Sequence, residues 1–71
     1  MKLNKQEQTV VVGHLINNVI GLELVKQHID PQKLEKAVDL HNKMNDDMTP
    51  KQCREALISV LDKTIDEFLK D

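Results

Sequence analysis

Apolar residues recur every three or four positions along most of this chain, and the pattern restarts at three places. In the last third, Cys53, Ala56, Leu57, Val60, Leu61, Thr64, Ile65 and Phe68 fall on one helical face, with Ile58 and Leu69 at its edge. The middle third carries a narrower stripe of Leu34, Ala37, Val38, His41 and Met44, opposite a polar side of Glu35, Lys36, Asp39, Asn42, Lys43 and Asp46. The first third is apolar on two sides. Val11, Val12, Leu15, Ile16, Val19, Leu22, Val25 and Ile29 make one broad face at about 100° per residue. The reverse face is Gly13, Asn17, Ile20, Gly21, Leu24 and His28, nearly without charge.

Each restart carries helix-start chemistry. Thr49-Pro50-Lys51-Gln52 reads as a capping box with proline at the first helical position, and Met48 and Cys53 stand at the staple positions. Asp30-Pro31 repeats the pattern, with Ile29 and Leu34 as staple. Asn4-Lys5-Gln6-Glu7 is a weaker box with Asn as the cap. Three starts predict three helices, near 5–28, 31–45 and 50–70, in a single small all-α domain spanning 1–71. The expected fold is a three-helix bundle with a long first and a short second helix, completed by self-association. The Asp30 and Thr49 segments match in residue class at an offset of 19, which reads as shared helix-start chemistry, with a true internal repeat as the competing reading.

The first helix is a poor helix former. It holds two glycines, two asparagines and many β-branched residues, and each Gly costs about 1 kcal/mol against Ala. Such a segment stays helical only through packing; the competing reading is a short strand at Thr9–Val12, ended by Gly13. Gly13, Asn17 and Gly21 recur every four residues, a spacing that lets two backbones approach closely. With Ile20 and Leu24 they form the expected self-association seam, giving an antiparallel or crossed dimer. The competing reading is that the glycines accommodate the third helix within one chain, or relieve a kink.

Composition narrows the picture. Leu, Ile, Val and Phe make up 22 of 71 residues, too many for a disordered chain. A chain this short buries only about 60% of its unfolded surface, so a lone core is marginal. Cys53 is the only cysteine, which excludes an internal disulfide framework and fits a reducing cytoplasm. Net charge is −2, with no segment strongly one-sided and one aromatic, Phe68. A nucleic-acid binder shows a basic face, and this chain has none. The second and third helices resemble a helix-turn-helix only in outline, because Asp46 and Asp47 in their loop would repel DNA. The early residues lack a signal peptide's apolar run, and Val10–Val25 is too short and polar to span a bilayer. The expectation is a soluble cytoplasmic protein that binds neither nucleic acid nor membrane.

Reactive constellations are thin. His14, His28 and His41 lie 14 and 13 residues apart, unlike a zinc-binding pair, and His41 sits within an apolar stripe. Glu35/Asp39 and Asp62/Asp66 have helical spacing but stand among lysines, as on a solvated face. Ser59 is the only serine, and no Gly-rich loop could cradle phosphate. No catalytic residue, metal or cofactor is expected.

The leading expectation is therefore a non-enzymatic helical protein that pairs with itself and acts on a larger protein as regulator, inhibitor or adaptor. Its candidate partner anchors are Leu40, Met44, Ile58 and Leu69. A second reading is an oligomeric sponge or sensor for a small anion or nucleotide, using helix N-termini with Lys33, Lys51 and Arg54.

Overall fold

A computed structural model, described over residues 1–70, has 83% of these residues in helix and no strand. Thr9–Val12 lies inside the first helix, not in a strand. The elements are α1 (Lys5–His14), a π-helical turn (Leu15–Ile20), α2 (Leu22–His28), α3 (Pro31–Asp46) and α4 (Pro50–Phe68).

All three expected starts are present. The Asn4 side chain accepts from the Glu7 N–H at 2.8 Å, and the Glu7 carboxylate accepts from the Asn4 N–H at 2.8 Å. Asp30 accepts from the Lys33 N–H at 3.0 Å, and Pro31 opens α3. Thr49 and Gln52 close the third box, at 3.1 and 2.9 Å. Each cap satisfies donors that the first helical turn leaves open.

The expected first helix is not continuous. Its axis turns by 106° between Lys5–Ile20 and Leu22–His28. Gly21, at the corner, has φ 93° and ψ 139°, a backbone state open to glycine and hostile to L side chains. The preceding stretch, Leu-Ile-Asn-Asn-Val-Ile, is composed mostly of weak helix formers and widens to π-helical pairing before the corner. The described residues therefore form four α-helices rather than three, and Gly21 serves a kink, the competing reading of the glycines, rather than a packing line.

The helix α1 lies between α3 and α4 and packs on both. Thr9 donates to the Met44 thioether across the α1–α3 contact at 3.4 Å. Gly13 lets the His41 ring lie against the α1 backbone: a Cβ built there would stand 2.8 Å from His41 Cδ2 and closer still to Nε2. On the other side, Ala56 is buried and Ser59, Val60 and Lys63 are half-buried toward α1. The core is thin. Its buried apolar side chains, among the described residues, are Val10, Val25, Leu34 and Ala56. The molecule is a slab of 34 × 31 × 19 Å. Its radius of gyration is 13.1 Å, against about 11 Å for a compact chain of this length.

Candidate functional site

Helix α4 presents the most continuous exposed feature. Its inward edge runs through Cys53, Ala56, Val60 and Lys63, a strip just wide enough to cover one neighbour. Leu57, Ile58, Leu61, Ile65 and Phe68 then point away from α1 into solvent, with Leu69 beyond the helix end. Leu61 is 59% exposed and Phe68 82%. The apolar stripe expected to be core is thus divided lengthwise: one edge is buried and the other bare. Periodicity identifies an apolar face, while a single covering helix has room for only part of it.

The second apolar surface is the elbow around Gly21. Leu15, Val19, Ile20, Leu22, Leu24 and Ile29 are all exposed there. Val12, Ile16, Val25 and Leu34 help to line a groove of about 240 Å³ on its inner side, with only Lys33 contributing a charged side chain.

A polar clamp fixes the angle between α1 and α4. Glu7, 1% exposed, accepts from Lys63 Nζ at 2.7 Å, from Ser59 Oγ at 2.5 Å and from the Asn4 N–H. The Lys63 ammonium holds the carboxyl below its ordinary 4.5, to about 2, with help from the Ser59 hydroxyl and the Asn4 N–H; desolvation opposes them. Lys63 also donates to the Lys2 carbonyl at 3.2 Å, tying the N-terminal segment to the same point. The donors and acceptors here saturate one another, which suits a structural joint better than a reaction centre. Sequence reasoning finds Glu7 only as a capping residue, because Ser59 and Lys63 lie more than fifty positions away.

The expected seam residues are dispersed. Gly13 is buried against His41, Asn17 is exposed on the π turn, Gly21 forms the corner, and Ile20 and Leu24 are exposed on opposite sides of that corner. No straight line through Gly13, Asn17 and Gly21 exists in the folded chain, because the axis turns at Gly21. Among the partner anchors, Leu40, Ile58 and Leu69 are exposed. Met44 is not: it is half-buried beneath the Thr9 hydroxyl and belongs to the α1–α3 contact.

Lys33 stands on α3, and Lys51 and Arg54 on α4, two helices with little contact beyond Cys53 against Asn45. The Asp30 and Thr49 side chains already occupy an N–H at the two helix starts. Among the described residues, no three His, Cys, Asp or Glu side chains converge as metal ligands would. No single helix among the described residues is long and apolar enough to cross a membrane. No protein family, curated protein or solved structure matches this chain.

Proposed function

We propose that this chain is a non-enzymatic helical interaction protein, which pairs with itself and acts as a regulator, inhibitor or adaptor by covering a surface of a larger protein. One observation carries the reading. The accessible surface is 5770 Å², whereas a folded monomer of 8.2 kDa exposes about 4,500 Å². The excess is apolar in character: fourteen large apolar side chains are exposed, against four buried apolar residues among those described. Single exposed apolar residues are ordinary, but two contiguous surfaces on so small a chain mark sites of association. Two surfaces also allow a division of labour, with one covered by a second copy and the other left for a partner.

Thermal melting at several protein concentrations tests the self-association. A protein whose stability depends on pairing melts at a higher temperature as its concentration rises. A melting temperature that stays constant from one to several hundred micromolar would overturn the reading.

A further inference from the structure

We infer that the outer face of α4 is the seam with a second copy of this chain, and that the two α4 helices run antiparallel. The inference rests on the self-association reading and assigns it a surface. Ile58, Leu61, Ile65 and Phe68 follow the alternating three-and-four spacing of a helix–helix seam, all exposed. Going back toward the start of α4, the same spacing reaches Arg54 and Lys51. Ala56 and Lys63 occupy the opposite side of the helix, and both are committed to α1. The α4 helix therefore has one face for its own chain and one face without a covering element.

Area and charge favour a copy of the same chain as the occupant. The surplus of exposed surface over the whole molecule is about 1,200 Å², enough for the roughly 800 Å² that each partner gives to a standard interface even with part of it on the elbow. A two-fold contact uses the same patch twice, so the patch must complement itself. Lys51 and Arg54 stand at one end of the α4 stripe and Phe68 at the other; among the described residues neither cation has an ion-pair partner. Parallel pairing would bring Lys51 and Arg54 against their own copies within an apolar seam, which like charges oppose. Antiparallel pairing about a two-fold axis near Leu61 sets Arg54 beside the other copy's Phe68, where the guanidinium meets an aromatic ring. The elbow, with its own exposed apolar side chains, is left on this reading to a different protein.

The test compares the full-length parent with Leu61→Glu by light scattering, and follows disulfide formation in single-cysteine variants on a Cys53→Ser background. Leu61→Glu places a charge at the centre of the seam and is expected to weaken dimerisation by at least about tenfold. A parent dimer that Leu61→Glu leaves intact overturns the α4 seam while self-association stands; a monomeric parent overturns both. Cysteines report orientation even where Leu61→Glu does not fold. On oxidation at low micromolar concentration, Leu61→Cys is expected to cross-link to itself, and Phe68→Cys to cross-link no faster than the α3 control Asp39→Cys. Failure of Leu61→Cys to exceed that control, or equally ready cross-linking of Phe68→Cys, overturns the antiparallel arrangement.

Discussion

At the scale of single residues, Glu7 does two jobs at once. Its carboxylate completes the Asn4 cap and receives Ser59 and Lys63 from α4, so local helix chemistry and a long-range contact share one group. Its folded pKa, about 2, lies below the ordinary 4.5. The stabilisation it provides is therefore present above pH 4.5 and is lost as pH falls toward 2. Glu7→Gln is expected to flatten stability across that window, read as urea midpoints of variant and parent from pH 5 to 2. Parallel curves for the two proteins would contradict the clamp. Gly13 is explained by contact with His41, not by a neighbouring copy: the ring occupies the space a methyl group would need. Gly13→Ala and His41→Ala should therefore be coupled by about 0.5–3 kcal/mol in a double-mutant cycle. An alanine at position 13 is costly under the ring and gains its helix propensity, about 1 kcal/mol, once the ring is removed. Additive effects in urea unfolding would place His41 elsewhere.

At the scale of elements, the turn at Gly21 separates what the sequence reveals from what it conceals. Capping is local, so the starts at Asn4, Asp30 and Thr49 can be read from a few neighbouring residues, and all three are found. The corner is different. Gly13 and Gly21 share a helical spacing, which reads as a packing line, while the positive φ that separates their roles leaves no periodic trace. Gly21→Ala meets no obstructing atom, yet the backbone conformation itself is unfavourable to alanine, at about 1–3 kcal/mol. The variant is expected to unfold at lower urea than the parent; equal or greater stability would mean that the chain runs straight through position 21. Helix propensity alone would predict the opposite sign, because alanine is the better helix former. The α4 stripe teaches a related point. Its residues were legible as one apolar face, but spacing cannot say that α1 covers Ala56 and Val60 while Leu61 and Phe68 stay bare.

At the scale of the whole molecule, the chain folds as a slab with a thin core and a broad apolar exterior. Helix α1 is flanked on two sides, whereas the outer face of α4 is exposed, and on the proposed reading a second chain covers it. On the same reading the elbow at Gly21, with Leu22, Leu24 and Ile29 exposed, is left for a different partner. Sedimentation equilibrium of the unmodified protein at tens of micromolar decides whether the chain pairs. A single species of about twice the 8.2 kDa chain mass, dissociating on dilution, is expected. A species of one chain mass throughout that range, folded and helical, would contradict it.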